Sequence, residues 1–529
     1  MANNIIGIDL GTSMSVIARL DETGSAVTIA NRNGFPRTPS VIHYDDKTHK
    51  ALVGEAAKMA AARYPDQVAM FVKREIGRNV YSRPVNGRQF RPETLSAIIL
   101  RKLKQDAQRV VGPISEAVIT VPAYFDETRR RATLDAGRIA GLEVLDIINE
   151  PTAAALSYAA LQAQQRAGGR QRFFEIPEGE ITVLVYDLGG GTFDATVVQL
   201  KSNRFRTLAT NGDRELGGKD WDDKIVDFVV QELAAEHKIS LAQIDEKARI
   251  GLRAHAEEAK ILLSDFETAD LSFIWNGRYF HRQLTRRQFE QLSADLLMRS
   301  RLTVEEVVAE AHLTWEQIDR VLLVGGATRM PMVEAMLTDL TGKPPDKSLD
   351  VDQVVAQGAA IYAGILAARS GDPTVAMPES LRKELREVEP IVPRNAHALG
   401  ISAMAGPGRR VNVRLVPKNT ELPAAASRVF YTRRPDATEI HVKVLEGDAT
   451  EADHCIQIGR CSIADLPPGL PQRSPVQVRL SYDHSGCISV MALDMTHGTF
   501  AHAEIERQQR LTEEGIQREK AFVESLDIP

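Results

Sequence analysis

Cysteine is scarce in this chain of 529 residues, and the three that occur, Cys455, Cys461 and Cys487, all lie in the last quarter. So few cysteines argue against a disulfide framework and favour a reducing compartment. The first residues lack the basic segment, the long apolar run and the small-residue cleavage site of a signal peptide. No stretch approaches the roughly 18 apolar residues of a membrane span. We therefore expect a cytoplasmic protein that does not bind membranes.

Charge of one sign is not in large excess either, since the net charge is −6 and the isoelectric point is near 6.1. Such a chain has no general attraction to phosphate backbones, and we expect no nucleic acid among its partners. With 529 residues, 43% of them hydrophobic, the chain is long enough for more than one folded core. Its length predicts roughly two to four domains.

A zinc site among the few cysteines is one hypothesis for the last quarter. The candidate ligands are His454, Cys455, Cys461, His484 and Cys487. Their spacing is not that of a zinc ribbon or finger, and cysteine is often simply buried. The simpler interpretation is that these residues are scattered along strands.

Residues 1–378 combine short apolar strands with long helical patterns, which indicates an α/β domain. Within it, IIGIDLGTS from Ile5 is echoed by VLVYDLGGGTFD from Val183, and VLLVGGATRMP from Val321 again ends a strand in paired glycines. Two related half-domains that face one cleft would explain this echo.

Beyond residue 378 the pattern changes three times. Residues 379–395 are charged and contain prolines, which predicts a short helix followed by an extended linker. In residues 396–505, apolar and polar residues alternate, as at Ile440, Val442 and Val444. This pattern predicts antiparallel strands, with a hairpin turn over 483–486. Residues 506–529 have helical spacing and predict one short C-terminal helix.

The glycine turns are candidate phosphate-binding loops, because backbone N–H groups without a nearby Cβ can converge on phosphate oxygens. The first turn contributes Gly11, Thr12 and Ser13, and the second contributes Gly189, Gly190, Gly191 and Thr192. Either turn alone is more often a plain hairpin, but two matched copies favour a nucleotide site. Asp9 and Asp187 open the turns and Asp194 follows the second. Their carboxylates suit a Mg²⁺ ion bound through water, although aspartate also commonly starts turns.

Seven strings together resemble, in order, those of the seventy-kilodalton heat-shock chaperones. They are IIGIDLGTS, FVKREIGR, AVITVPAYFDETRRRATLDAGRIAGLEV, IINEPTAAALSY, VLVYDLGGGTFD, LATNGDRELGGKDWD and LLVGGATRMP. The resemblance continues more weakly through HALGISAM, PKNTELP, RVFYTRRPD and IHVKVLEGD. It implies a duplicated, actin-like ATPase domain, an all-β sandwich that binds unfolded or extended polypeptide, and a short C-terminal helix. ATP, ADP and Mg²⁺ are the implied ligands, and a co-chaperone and a nucleotide-exchange factor are the implied partners.

The resemblance also implies roles for individual residues. The implied catalytic group is Lys73, Glu150, Asp187, Thr192 and Asp194, with Asp9 and Asp187 holding the metal through water. Adenosine contacts are implied for Glu257, Lys260, Ser264, Gly325, Gly326 and Arg329, and peptide contacts for Met404, Phe430, Arg433 and Ile440. Pro122 matches the position of an interdomain switch. The spacing of Glu257, Lys260 and Ser264 places them on one helical face, as an ordinary solvated face would also have.

Four departures from the family pattern carry predictions. One is Arg433, which stands where the family usually has a small residue and which favours acidic or polar peptide segments. The linker contains EPIVP in place of a run of leucines, and its prolines cannot donate ladder hydrogen bonds, which predicts weak coupling between ATP and peptide. Asp146 stands where a basic residue is usual, which argues against a standard J-domain contact. A long helical lid is not expected after the strands, which predicts rapid peptide exchange.

Two other functions remain open on the sequence. A nucleotide-gated scaffold would keep the fold without productive cycling, but Lys73, Asp9, Asp187 and Asp194 are all present. A metabolite kinase of the actin-like superfamily would not need the alternating β-strands. The leading hypothesis is therefore an ATP-dependent molecular chaperone.

Overall fold

The structure is a computed structural model that describes residues 4–504 and 511–529, apart from short gaps. The gaps are residues 62, 167–179, 202–203, 239, 241–243, 245, 276, 373–374, 376, 390, 407, 465, 467–468 and 484–487. Within this described part, no helix combines the length and the apolar character needed to cross a bilayer.

Residues 4–166, the first lobe, are built on a mixed sheet of order β3-β2-β1-β8-β9. The strands are β1 (Asn4–Asp9), β2 (Met14–Leu20), β3 (Ala26–Thr28), β4 (Thr38–Pro39), β5 (Ile42–Asp45), β6 (Lys50–Val53), β7 (Val68–Ala69), β8 (Ile114–Val121) and β9 (Glu143–Asn149). The helices are α1 (Glu55–Ala61), α2 (Pro92–Val111), α3 (Glu127–Ile139) and α4 (Glu150–Arg166). β1 pairs antiparallel with β2 and parallel with β8. The first glycine turn therefore lies at the end of a central strand.

Residues 180–386, the second lobe, contain a four-stranded sheet of order β12-β11-β10-β15. The strands are β10 (Glu180–Leu188), β11 (Phe193–Lys201), β12 (Arg204–Asp213), β13 (Thr268–Trp275), β14 (Arg278–Thr285) and β15 (Arg320–Val324). The helices are α5 (Gly218–His237), α6 (Glu246–Asp265), α7 (Arg286–Leu292), α8 (Ala294–Glu310), α9 (Pro331–Thr341), α10 (Val354–Ser370) and α11 (Glu379–Arg386). β10 pairs antiparallel with β11 and parallel with β15, as β1 does with β2 and β8. The repeated sequence thus has a repeated strand arrangement.

Helices α4 and α10 pack against each other between the two sheets. Their shared core contains Ala153, Ala155, Val355 and Ala359, which are all buried. Alanine is small and favours helices, so it lets two helices approach closely without a loss of helical propensity. The packed pair places the glycine turns of both lobes at one cleft.

Residues 396–504, the β-region, form two four-stranded antiparallel sheets of order β17-β16-β19-β20 and β18-β21-β22-β23. The strands are β16 (Leu399–Gly406), β17 (Arg409–Val416), β18 (Ala424–Tyr431), β19 (Ile440–Glu446), β20 (Ile456–Ile463), β21 (Pro475–Tyr482), β22 (Ile488–Asp494) and β23 (Phe500–Glu504). Leu399, Val444, Leu480 and Val490 belong to one core, to which both sheets contribute. In β21, buried Val476 and Val478 alternate with exposed Gln477 and Arg479, so the period of two reflects one buried face.

The described cysteines are explained by packing and hydrogen bonding. Cys461 is buried in the β-region core, and the Sγ atom of Cys455 accepts a hydrogen bond from Asn412 Nδ2 at 3.3 Å. Among the described residues, no group of three or more His, Cys, Asp or Glu side chains is arranged to hold a metal ion. His484 and Cys487, the other parts of the zinc hypothesis, lie outside the described residues, as does the 484–486 part of the hairpin turn.

The linker lies along the edge of the second-lobe sheet. Val392 forms an isolated parallel bridge with Arg206 of β12, and its N–H donates to Phe205 O at 3.5 Å. Arg394 donates to Thr207 O at 2.6 Å and pairs with Glu421 at 2.8 Å. Pro390 lies outside the described residues. The linker therefore adds one paired position to β12 and is fixed further by side chains.

The last helix, α12 (Glu513–Ser525), packs against the first lobe. Ile516, Val523 and Leu526 are buried in the core that α2 and α3 also line. Thr512 caps the helix by accepting a hydrogen bond from the Gly515 N–H at 3.1 Å. The backbone of Asp527 forms an isolated parallel bridge with Lys50 of β6. These contacts make α12 a part of the first-lobe core.

Candidate functional site

A cleft of about 380 Å³ lies between the two lobes, where both glycine turns meet. Fifteen of the residues singled out in the sequence line it: Asp9, Gly11, Thr12, Ser13, Lys73, Glu150, Asp187, Gly189, Gly190, Thr192, Glu257, Lys260, Gly325, Gly326 and Arg329. Three do not: Gly191, Asp194 and Ser264. The fold thus brings together residues as far apart in the chain as Asp9 and Arg329.

The two turns contact each other so closely that glycine is required in the second one. A Cβ atom on Gly190 would lie 2.1 Å from Ser13 Oγ, and one on Gly191 would lie 2.3 Å from Thr12 Cγ2. Real side chains do not approach to such distances, so any other residue would push the turns apart. Gly191 therefore does not line the cleft itself but lets the opposite turn approach.

Four carboxylates and one lysine form the floor of the cleft and the layer behind it. Lys73 and Glu150 form an ion pair, and Asp9 accepts a hydrogen bond from Thr120 Oγ1 at 3.1 Å. Asp194 lies behind the lining, where its Oδ1 accepts the Tyr124 N–H at 3.0 Å and its Oδ2 has no hydrogen-bond partner. A buried carboxylate oxygen without a partner is costly, so this arrangement indicates a cationic ligand.

The pKa values of this cluster reflect the excess of negative charge. Burial, with the charge of Glu150, raises the pKa of Asp9 to about 7 and that of Asp194 to about 8. The same causes raise the pKa of Asp187 well above its ordinary value. Burial alone would lower the pKa of Lys73, but Glu150 and Asp9 raise it above the ordinary value. Lys73 is therefore charged at neutral pH.

These residues fit a phosphate chain with a divalent cation. Backbone N–H groups of glycine turns bind anionic oxygens, and Lys73 adds a fixed positive charge. Clustered carboxylates with raised pKa values would be stabilised by a hard cation such as Mg²⁺, which prefers oxygen ligands and keeps several waters. Since no group of three or more such side chains among the described residues is arranged to hold a metal ion itself, the donor set suits a cation held through water and bound together with a nucleotide.

The opposite side of the cleft is lined by α6 and the turn after β15. Glu257 pairs with Lys58 of the first lobe at 2.6 Å, so this contact crosses the cleft. Lys260 pairs with Asp222 at 2.7 Å and donates to Gly218 O at 3.0 Å. Ser264 lies on α6 with Glu257 and Lys260, and its hydroxyl donates a long hydrogen bond to Lys260 O at 3.4 Å. Its side chain does not line the cleft.

Among the cleft residues that were not singled out from the sequence, Arg37 and Asp352 form a contact between the lobes. Asp352 pairs with Arg37 of the first lobe and with Arg329 of the second, both at 2.7 Å. The carboxylate therefore links the lobes over the cleft. Neither Arg37 nor Asp352 belongs to a glycine motif, and only the fold brings them together, so the sequence carried no local signal for them.

The four residues with implied peptide contacts lie on strands or a loop of the β-region. Met404 is on β16, Ile440 begins β19, and Phe430 is on β18 of the other sheet. Phe430 and Ile440 are half-buried against the core, Met404 is half-buried, and Arg433 is exposed in the loop after β18. Partly exposed apolar side chains of this kind can contact an added apolar segment.

Comparison with known proteins agrees with this architecture. A family model described as Hsp70 protein matches residues 5–526. The chain is 40% identical over 548 aligned positions to a protein named "Chaperone protein dnaK3" from Thermosynechococcus vestitus, covering 97% of this chain and 74% of that protein. The resemblance inferred from the motifs is thereby confirmed. The chain belongs to the Hsp70 family of ATP-dependent chaperones, whose fold combines an actin-like ATPase with a β-sandwich.

Proposed function

We propose that this protein hydrolyses ATP in the cleft between its lobes and uses the reaction to control binding of extended polypeptide by the β-region. The observation that carries the proposal is the convergence of two glycine turns, one buried lysine and the carboxylates of Asp9, Glu150 and Asp187 at a single cleft, with Asp194 directly behind them. Phosphoryl transfer needs mainly positioning and stabilisation of charge, which such a set provides. The proposed division is a nucleotide domain over 1–378, a linker over 379–395, a peptide domain over 396–505 and a C-terminal helix segment over 506–529.

Lys73 is the proposed catalytic cation. Its ammonium group is buried and held by Glu150, so its charge is fixed in place and poorly solvated. A preorganised charge of this kind stabilises the negative charge that moves during hydrolysis. Thr192 lines the cleft close to the phosphate-binding turns and is proposed to contact the terminal phosphate. Glu150, Asp187 and Asp194 would orient the attacking water.

Asp9 and Asp187 are the residues proposed to hold Mg²⁺ through water. When bound, the ion would supply neutralisation of charge on the phosphate oxygens. Both carboxylates are buried and have raised pKa values, so they are poorly stabilised without a cation. Adenosine would lie between Lys260 on α6 and the turn that contains Gly325, Gly326 and Arg329.

The segment after Pro122 supports communication between the cleft and the β-region. The Tyr124 N–H donates to Asp194 at 3.0 Å, and the Tyr124 carbonyl contacts His397 Nε2 at 3.2 Å. The aromatic rings of Tyr124 and His397 also lie 4.3 Å apart. One residue thus touches both the acidic cluster and the first residues of the peptide domain, which is the arrangement a coupled switch requires.

Further contacts fix the β-region on the second lobe. Asn419 Oδ1 accepts the Thr210 N–H at 3.1 Å, and Lys418 pairs with Glu310 at 2.9 Å. Glu421 pairs with both Arg206 and Arg394. The side chains of Arg206 and Glu421 are 44% and 40% exposed, so this ion pair can break and re-form, which suits a docked state that a nucleotide can stabilise or release. Whether the proline-containing linker weakens this coupling stays a prediction.

Asp146 lies at the position where we consider a contact with a co-chaperone. Its carboxylate accepts a hydrogen bond from Tyr362 Oη at 2.8 Å and from the Ile147 N–H at 2.8 Å. The acidic residue at this position therefore has partners inside the chain. Members of the family bind co-chaperones in general, and we propose that the partner of this protein does not make the usual acidic contact here.

The test is the rate of ATP hydrolysis with and without an unfolded polypeptide, such as a reduced and alkylated protein. Stimulation by the polypeptide is expected for the proposed cycle. A basal rate that polypeptide leaves unchanged would instead indicate a nucleotide-gated scaffold. Hydrolysis that depends on a sugar-like acceptor would indicate a metabolite kinase.

A further inference from the structure

The backbone around Lys73 has an unusual conformation. Phe71 has a φ of 57°, in the left-handed region that a bulky residue rarely adopts. It directly precedes the 3-10 turn Val72–Glu75, which carries Lys73. Such strain persists only where the surroundings hold it, so the contacts of this segment determine where the lysine ammonium lies.

Those contacts come from the opposite lobe. Arg74 Nε donates to Gly191 O at 2.7 Å, and its Nη1 donates to Asp220 Oδ1 at 3.1 Å. Its Nη2 forms an ion pair with Asp220 Oδ2. Asp220 also accepts the Gly217 N–H at 2.8 Å, at the start of α5. One guanidinium group of the first lobe is therefore hydrogen-bonded to the second glycine turn and ion-paired to the first turn of helix α5.

Phe71 is held by the second lobe as well. Lys219 Nζ lies 5.5 Å and Arg253 Cζ lies 5.8 Å from the centre of its ring. Both cations are themselves fixed by Asp223. Cations at this distance from an aromatic face attract it. The residues on either side of the Val72–Lys73 pair are thus bound to the second lobe.

We propose that Arg74 and Asp220 form a clasp across the cleft that positions Lys73 against the Gly189–Gly191 turn, so that the lysine is aligned for hydrolysis only when the two lobes are closed. Arg74 is a positioning residue in this proposal. The inference rests on the proposed hydrolysis of ATP with Lys73 as the catalytic cation.

The geometry explains why arginine is required. Three nitrogens of one planar group reach three oxygens, two of Asp220 and one of Gly191, and a lysine ammonium cannot match this set. The side chains of Arg74 and Asp220 are 15% and 20% exposed, so the ion pair is partly shielded from solvent. A displacement of about 1 Å in a catalytic group lowers a rate by about 100-fold, which sets the scale of the expected effect.

The experiment compares Arg74→Ala, Arg74→Lys and Asp220→Asn with wild type in the full chain, by single-turnover hydrolysis and by steady-state kcat and KM for ATP. Each variant is expected to lower kcat by about 10- to 100-fold, because Lys73 is no longer held in place, with KM changed by less than about threefold. The matched control is Arg78→Ala. Arg78 is 54% exposed and pairs only loosely with Glu75, at 3.7 Å, so its loss is expected to leave kcat unchanged.

The double variant Arg74→Ala/Asp220→Asn distinguishes a clasp from two independent effects. If the residues act as one unit, the double variant is no slower than the slower single variant. Thermal unfolding midpoints within about 2 °C of wild type show that the fold is intact. A kcat of Arg74→Ala and Arg74→Lys equal to wild type, or multiplied effects in the double variant, would overturn the clasp while leaving the proposed function in place. Lack of hydrolysis by wild type would overturn the proposed function itself.

Discussion

Lys73 and Glu150 form an ion pair on the floor of the cleft, with 6% and 8% of their side chains exposed. The lysine lies among four carboxylates, so it cannot neutralise the cluster alone. Burial makes the remaining negative charge costly, which appears as the raised pKa values of Asp9 and Asp194. The pair therefore places a fixed cation beside a cluster whose remaining negative charge would be stabilised by a second cation.

The first prediction concerns this lysine. Lys73→Ala is expected to remove most ATP hydrolysis and to leave ATP binding largely intact, because the ammonium stabilises transferring charge and does not hold adenine. Single-turnover hydrolysis and the equilibrium binding of ATP measure the two effects separately. Glu150→Gln is the second variant to compare, since it removes the ion pair with Lys73 and keeps the lysine itself. Unchanged turnover in Lys73→Ala would rule out the catalytic assignment.

The second prediction concerns the metal. Asp9→Asn is expected to weaken the magnesium dependence of nucleotide binding and hydrolysis, since it removes one negative charge that faces the ion. In wild type, protons compete with the metal because the pKa of Asp9 is about 7. The magnesium affinity should therefore rise between pH 6 and pH 8, and this rise should be smaller in the variant. Titration with magnesium at both pH values measures it, and an identical pH response would make Asp9 a turn residue only.

The third prediction is a pH dependence of docking. Glu446 is buried between the β-region and α3, where Tyr482 Oη donates to it at 3.3 Å and its Oε2 has no hydrogen-bond partner. Burial, with the charge of Asp126, raises its pKa from 4.5 to about 8. Arg129 and Arg214 also face it and oppose this shift. Docking therefore takes up a proton, so this contribution is complete below pH 4.5 and is lost as the pH rises through about 8.

Energy transfer between dyes on the first lobe and the β-region tests this prediction over pH 7 to 9. Burial lowers the pKa of His397, which also lies at this interface, so that His397 stays neutral over this range. Wild type is expected to lose docking as the pH rises, and Glu446→Gln to keep it. The same loss in the variant would assign the effect to another group.

Much of the cleft could be predicted from the sequence because its chemistry lies in short local motifs. The turn at Gly11 and the turn at Gly189 each follow an apolar strand that lies inside its sheet, and their matching motifs predicted two half-domains facing one cleft. Lys73 and Glu150 required the family resemblance, because nothing in their local spacing distinguishes a catalytic lysine from a surface one.

The contacts that could not be predicted join residues far apart in the chain. Arg74 and Asp220 are 146 positions apart, and their pairing follows only from how the two lobes close. The C-terminal helix was predicted from its period, but the period does not show which surface covers its apolar face. Ile516 and Val523 lie in the core of the first lobe, most of whose residues belong to the segment from Ile6 to Ile147.

The fourth prediction follows from that helix. Ile516 is 2% exposed, and Ile516→Ala is expected to lower the stability of the first lobe by about 2–4 kcal/mol through loss of buried apolar surface and formation of a cavity. Denaturant unfolding of the full chain measures this loss. The matched control is Gln517→Ala on the exposed face of the same helix, with an expected change within about 0.5 kcal/mol. Equal stability of both variants would show that the helix is only loosely attached.

The fifth prediction concerns release of peptide. In the described part of the chain, the helix that follows the β-strands packs on the first lobe, so it does not cover the β-region. A bound segment then meets no barrier from this helix, and differences in affinity between related complexes lie mainly in the off-rate. Among the described residues, the linker forms a backbone bridge with β12 only at Val392, so its main chain contributes few contacts that differ between docked and undocked states. We expect fast release in ADP and less than about a tenfold acceleration by ATP.

Release of a fluorescent apolar peptide from the full chain, in ADP and then in ATP, measures both rates. The exposed position of Arg433 adds a second readout, because a guanidinium group at the binding surface favours acidic over purely apolar segments. An acidic and a neutral peptide of equal length should therefore differ in off-rate in wild type, and Arg433→Ala should reduce that difference. Slow release in ADP that ATP accelerates by orders of magnitude would contradict the prediction, because it would show full coupling between nucleotide and peptide.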